Sequence, residues 1–329
     1  MRKLRLGMLG ASWWTDVTCP GFTQAGNAEV VWIASRTPER ARAAAEKHGI
    51  PRWSADYDEV LSSPDVDAVF IGVPNHLHHE MALAAMAAGK HVIQEKPMAL
   101  SLQQAAEQAR EAERRGLHLM VDLELRLADG IRDFASIIAD RIGPLRKATL
   151  RVTLSSGAWG GWRADPALTG GTLFEMAIHQ LDLAHWLFGR DPAAVWATGD
   201  DVSGSDFTAV IDFGGSDTAL IDFCWRSAGF HERIEASGER GLAALDIAMP
   251  FGGGFRTLTT AEGVERAPVE VSAQGPATFR RVLEGFASAV LEGGRLPIPT
   301  SDGVWAVAIA EGARRSLRSG GWEKLAISG

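Results

Sequence analysis

Cysteine is nearly absent: Cys19 and Cys224 are the two in 329 residues, far apart in sequence. That excludes a disulfide framework and a thiolate metal cluster, and it fits reduced thiols in a cytoplasmic protein. Long apolar runs are also missing, since no stretch reaches the roughly 18 uninterrupted residues of a membrane helix. The opening MRKLRLGMLG starts basic and turns apolar. Its apolar part is short, is broken by Gly7 and Gly10, and lacks a small-residue cleavage site, so a first β-strand explains it better than a signal peptide. Positive charge is in deficit, with 33 Lys and Arg against 41 Asp and Glu and a net charge of −8. Nothing in that balance draws the chain to nucleic acid or anionic lipid. His76, His78 and His79 have only Glu80 as an acidic neighbour, which is too little for a metal sphere, and no metal is expected.

What is present is ordinary globular material, 46% apolar and 22% charged, long enough for about two domains. The first third alternates strand and helix: strands at 4–9, 30–34, 67–73, 91–94 and 117–121, with helices at 13–24, 37–47, 76–88 and 101–115. Repeated β-α-β units mean a doubly wound parallel sheet. The pattern then changes. A helix is expected at 126–141, a strand at 145–154 and a helix at 172–188. Strands without intervening helices follow at 194–198, 207–213, 218–225 and 231–237, with Gly214-Gly215-Ser216 as a hairpin turn. Helices at 276–292 and 302–317 close the chain. The predicted fold is α/β: a Rossmann dinucleotide-binding domain at 1–122, then an α/β domain at 123–329 for substrate binding and oligomerisation, built on a large, mostly antiparallel, open-faced sheet.

At the first strand–helix turn the dinucleotide pattern Gly-x-Gly-x-x-Gly reads Gly10-x-Ser12-x-x-Thr15. Gly10 keeps the tight turn, Ser12 is small enough for a pyrophosphate to approach, and Thr15 is expected to loosen helix–strand packing. A nucleotide site and a plain strand–helix turn both fit this motif. About 20 residues on, where an NAD enzyme places a carboxylate for the ribose 2′-hydroxyl, stand Ser35 and Arg36, with Arg40 a helical turn further. A hydroxyl and guanidinium groups suit a 2′-phosphate, which favours NADP over NAD.

In the apolar stretch 172–188, Glu175, His179 and Asp182 stand at i, i+4 and i+7, on one stripe of a continuous helix. Burying three titratable groups together requires pairing or a wet cavity. A satisfied internal network and an active-site wall are both consistent with that stripe. Lys96 follows a parallel strand directly and precedes Pro97, at the edge where doubly wound sheets bind ligands.

Val73-Pro74-Asn75-His76-Leu77-His78, Gly89-Lys90-His91-Val92, Glu95-Lys96-Pro97, Trp162-Arg163, Gly170-Gly171 and Glu175-x-x-x-His179-x-x-Asp182 occur in that order. Together they resemble the Gfo/Idh/MocA oxidoreductases over nearly the whole chain. Val73 replaces the usual Thr, and Glu175 stands where Asp is commoner. The resemblance implies an NAD(P)-dependent oxidoreductase passing hydride between nicotinamide and a sugar, polyol or keto-sugar, assembled as a homodimer or homotetramer through the open sheet. It implies a cis Lys96–Pro97 bond. The catalytic residues it implies are Lys96, polarising the substrate oxygen, His179 as general base, and Glu175. Gly10, Ser12, Trp13, Ser35, Arg36, Arg40, Pro74, Asn75, His78, Glu95 and Lys96 fall at the cofactor, with Trp14 as a further cover. Lys96, Trp162, Arg163, His179 and Asp182 fall at the substrate, with further contacts expected from loops 154–170 and 249–255. Two alternatives share the scaffold: a glycosidase that oxidises transiently on tightly held NAD, and a non-catalytic sugar- or nucleotide-binding regulator, which would be expected to lose Lys96 or His179.

Overall fold

The computed structural model describes residues 2–155, 160–200, 205–227, 229–248 and 253–327. The chain forms two units: Met1–Glu124 with Gln274–Val304, and Leu125–Ala273 with Trp305–Gly329. Labels below follow chain order.

The first unit is built on six parallel strands: β1 (Leu4–Leu9), β2 (Ala28–Ala34), β3 (Arg52–Ser54), β4 (Ala68–Ile71), β5 (His91–Glu95) and β6 (Leu119–Asp122). They lie in the order β3-β2-β1-β4-β5-β6, the doubly wound dinucleotide arrangement. All four residues of β4 are buried, as expected of a strand covered on both faces. The helices are α1 (Trp13–Phe22), α2 (Pro38–His48), α3 (Tyr57–Ser62), α4 (His78–Ala87) and α5 (Leu102–Arg115). Local chemistry sets their ends. Ser101 caps α5 by accepting from Gln104 N at 3.3 Å, and Gly116 closes it at φ 66°.

A late segment completes this unit. Helix α10 (Pro276–Glu292) lies on α1, where Gly21 allows contact so close that an added Cβ would sit 2.5 Å from Phe279 Cβ. Phe279 meets Phe22 edge-on at 6.2 Å, and Phe22 meets Phe70 of β4 at 5.1 Å, so the seam runs into the sheet core. Helix α11 (Thr300–Ser319) begins in this unit and continues into the second.

The second unit carries α6 (Asp129–Ile137), α7 (Pro166–Thr169), α8 (Thr172–Glu175) and α9 (Ile178–Phe188). Its sheet is formed by β7 (Leu145–Thr153), β8 (Ala194–Gly199), β9 (Asp206–Asp212), β10 (Thr218–Cys224), β11 (His231–Gly238), β12 (Gly241–Ile247), β13 (Gly253–Thr260), β14 (Gly263–Glu270) and β15 (Glu323–Lys324). The order is β14-β13-β12-β11-β7-β10-β9-β8-β15, antiparallel except for the β7–β10 pair. Strict alternation in β9 buries Phe207, Ala209 and Ile211 and leaves the other face half-exposed. Positive φ at Gly214 and Gly215 turns β9 into β10.

Two expected helices are interrupted. The stretch 126–141 is a 3₁₀ turn at Glu124–Leu127, then α6, then a π-helical segment at Ile138–Ile142. The stretch 172–188 divides into α8 and α9: the N–H groups of Met176 and Ala177 both converge on Thr172 O at 2.9 Å, and Met176 leaves helical geometry at φ −121°. No helix among the described residues is long and apolar enough to cross a membrane.

Candidate active site

In the first unit the candidate cofactor residues fall on one edge, at the carboxyl ends of β1, β2, β4 and β5. Gly10 has φ +113°, and a Cβ there would sit 2.4 Å from Gly72 O, so only glycine lets the end of β1 approach the β4 exit. Ser12 caps α1. Its hydroxyl accepts from Trp14 N at 3.2 Å, and its own N–H donates to Thr15 Oγ1 at 3.0 Å. Thr15, expected to loosen the packing, is instead 5% exposed and completes this capping box. The two missing glycines are therefore replaced by a rigid turn whose helix start still faces the ligand edge.

Ser35 is buried and accepts from Thr37 N at 3.3 Å, while Arg36 and Arg40 are exposed beyond β2. Tyr57, absent from the sequence reading, lies against Arg36. Burial pushes its hydroxyl up, and the Arg36 charge and backbone N–H partly offset that. A tyrosine two elements away gives no spacing signal.

At the β4 exit, Asn75 is buried and Pro74 half-exposed. His78 requires a correction. It is fully buried, with Nδ1 2.7 Å from Pro97 O and Nε2 2.9 Å from Val73 O. Both ring nitrogens lie within hydrogen-bond distance of main-chain carbonyls, so His78 ties the loop after β4 to the loop after β5 and is not exposed at the cofactor edge. Its neighbour His79 bonds Glu107 at 3.0 Å.

Lys96 follows β5 half-exposed, and the Lys96–Pro97 bond is cis, as the resemblance implies. Glu95 beside it accepts a hydrogen bond from the Trp14 indole, which also meets Phe279 edge-on at 5.9 Å. Trp14 is thus a packing residue, whereas Trp13 is 49% exposed. Asp122, paired in register with Glu95, is fully buried, and neither of its oxygens has a hydrogen-bond partner among the described residues. Burial first, then Glu95 and Glu124, hold its carboxyl well above the usual range, and Lys96 opposes them.

The second unit holds a cavity of about 230 Å³ lined by Arg163, Thr169, Glu175, Met176, Ser205 and Trp225, among others. Arg163 Nε donates to Glu175 Oε1 at 3.4 Å, and its guanidinium lies 4.5 Å from the centre of the Trp162 ring. Aromatic wall, cation and carboxylate form a pocket suited to a polyhydroxylated molecule. Ser205 and Trp225 lie at strand ends and carried no motif. Of the loops expected to contact substrate, 156–159 and 249–252 lie outside the described residues.

The break between α8 and α9 gives the three stripe residues separate settings. Glu175 ends α8 at the cavity, and His179 is half-buried in the first turn of α9. Asp182, expected at the substrate, is corrected. It is 1% exposed and clamped by Arg126, whose Nε donates at 2.6 Å and whose Nη2 forms a second bond. Nearby, Gln180 donates to the buried Glu232 at 3.0 Å, and burial pushes that carboxyl up.

Comparison with known proteins bears on the family and the fold. The model described as oxidoreductase family, NAD-binding Rossmann fold, matches residues 4–123, and that of the GFO/IDH/MocA C-terminal domain matches 135–244. An uncharacterized oxidoreductase of Rhizobium meliloti is 30% identical over 99% of this chain and 100% of its own. The 1,5-anhydro-D-fructose reductase of Ensifer adhaerens is 30% identical over 92% of this chain and 93% of its own. The structure of aldose–aldose oxidoreductase from Caulobacter crescentus, complexed with glycerol, superposes with a TM-score of 0.86 at 27% identity, over 98% of this chain and 100% of that one.

Proposed function

The chain belongs to the Gfo/Idh/MocA oxidoreductase family, and on that premise we propose that it is a sugar or polyol oxidoreductase that prefers NADP to NAD. One observation carries the reading: a single edge of the first unit's sheet presents Ser12, Arg36, Asn75 and Lys96 from four successive strand ends. The residues present fit a dinucleotide, because Gly10, packed so close to Gly72 O that no Cβ fits, makes the tight turn after β1, and Ser12 caps the start of α1 beside it.

Bound nicotinamide supplies or accepts the hydride. Lys96 donates a hydrogen bond to the substrate oxygen and stabilises negative charge developing there. His179 takes the hydroxyl proton in oxidation and returns it in reduction. Glu175, with Arg163 and Trp162, holds neighbouring hydroxyls in the second unit's pocket. Arg36 and Arg40, with no carboxylate at the end of β2, favour a 2′-phosphate. Residues 1–122 serve the cofactor in this reading. Residues 123–329 serve the substrate and a homo-oligomer formed through the open sheet. Two free cysteines suit the reducing cytoplasm.

A panel of aldoses, inositols and keto-sugars with NADP and NAD, followed by reduced-nicotinamide absorbance, tests the reading. Steady turnover with NADP preferred is the expected result. Aglycone release without net absorbance change would favour the transient-oxidation glycosidase, and at least a tenfold preference for NAD would remove the assignment of Ser35 and Arg36. Lys96→Ala should lower kcat by about 100-fold or more while nicotinamide affinity changes by only a few-fold.

A further inference from the structure

Three carboxyl groups and one lysine meet where β5 and β6 end. Glu95 and Asp122 are register partners in adjacent parallel strands, Glu124 is two residues beyond, and Lys96 is next to Glu95. Exposure is 0% for Asp122, 3% for Glu124 and 8% for Glu95. Glu95 is fixed by the Trp14 indole. Asp122 differs from the other two because both its oxygens lack a hydrogen-bond partner among the described residues. An ionised carboxylate has no reason to remain in such a place, whereas a neutral carboxylic acid costs far less there.

A third negative charge beside the carboxyl groups of Glu95 and Glu124 would add like-charge repulsion in a buried place, with Lys96 as the opposing cation. The charged groups acting on Asp122 are Glu95 and Lys96 from the β5 end and Glu124 from its own exit; helix α11, which meets neighbouring Val121 at Gly303, carries Asp302 in the same turn.

We propose that Asp122 is a positioning residue for Lys96: as a neutral acid it leaves the ammonium turned toward the substrate, and on losing its proton it draws the ammonium inward and shuts turnover off. The proposal deepens the function given above and rests on Lys96 contacting the substrate oxygen. The step is a single ionisation, Asp122 releasing its proton to solvent at alkaline pH, with no other bond made or broken. The stripped carboxylate then competes with the substrate for the Lys96 hydrogens.

Two measurements decide it. The first needs no substrate, so it stands even if the oxidoreductase reading fails. The infrared difference spectrum of the whole wild-type protein minus Asp122→Asn at neutral pH should show a protonated-carboxyl stretch; the band of the buried Glu232 is common to both proteins and cancels. Absence of that band overturns the proposal. The second is the pH profile of kcat. The alkaline limb of the wild type should move up by about one pH unit or more in Asp122→Asn, which cannot ionise. An alkaline limb that stays in place or moves down in Asp122→Asn overturns the proposal. Asp122→Val also cannot ionise and suits a β-strand, so it serves if the asparagine variant folds poorly. A loss of kcat equal at every pH would mark a merely structural role.

Discussion

Severing the Arg126–Asp182 pair tests whether Asp182 is a structural group or a substrate contact. Both side chains are 2% exposed, and the pair is held at two points, with Arg126 also 5.8 Å from the centre of the Trp186 ring. Asp182→Asn takes from the buried guanidinium the carboxylate that holds it at two points, a loss of about 3–5 kcal/mol. For a unit of this size, 1 kcal/mol moves Tm by about 2–4 °C, so calorimetry should find the transition about 6–20 °C lower. Arg126→Met should cost a similar amount, because it removes the cation from a buried carboxylate. The double variant Arg126→Met/Asp182→Leu should recover most of the loss, since apolar residues of similar volume remove both desolvation penalties together. A fall of less than about 1 kcal/mol in Asp182→Asn, typical of an exposed pair, would refute the reasoning. So would additive losses in the double variant. A variant with wild-type Tm and a strongly raised KM would return Asp182 to the substrate.

Gly21→Ala should destabilise the first unit by about 1–3 kcal/mol, because the new Cβ meets Phe279 Cβ and Pro276 O at 2.5 Å. Gly26→Ala, whose nearest contact is 3.6 Å away, is the control in the same melting experiment. Glu232→Gln keeps the Gln180 bond and removes a carboxyl that burial holds protonated above its ordinary 4.5. The folded protein binds this proton after the unfolded chain has released it. Wild-type stability should therefore decline as pH rises from that value toward the folded pKa, at up to about 1.4 kcal/mol per pH unit. Glu232→Gln should gain on the wild type as pH rises above 4.5 in denaturant titrations; an advantage independent of pH would remove this explanation.

The parallel sheet was legible because buried strands such as β1 and β4 are short apolar runs with nothing to dilute them. The edge strands were not. β3 is three residues long, and β14, Gly263–Glu270, is mostly exposed and carries Pro268, so neither shows apolar alternation. The break before α9 left no proline or glycine to mark it, only a shared carbonyl at Thr172. The cofactor edge could be read because strand ends and Gly10 have local signatures. Arg126, Ser205 and Trp225 could not, because their partners are brought near only by the fold. Asp122 looks in sequence like the last residue of an ordinary strand, and its meaning comes from Glu95 on the next strand.

The seam between α1 and α10 also bears on how the protein is made. A ribosome finishes all six strands of the nucleotide-binding sheet long before it reaches Phe279. Until then Phe22 has only the sheet at Phe70 to pack on, and the nascent half-domain carries an apolar stripe beside Gly21 that only a much later helix can hide. A fragment ending at 122 should therefore be sticky and dependent on chaperones, and adding residues 274–304 in trans should be the way to quiet it.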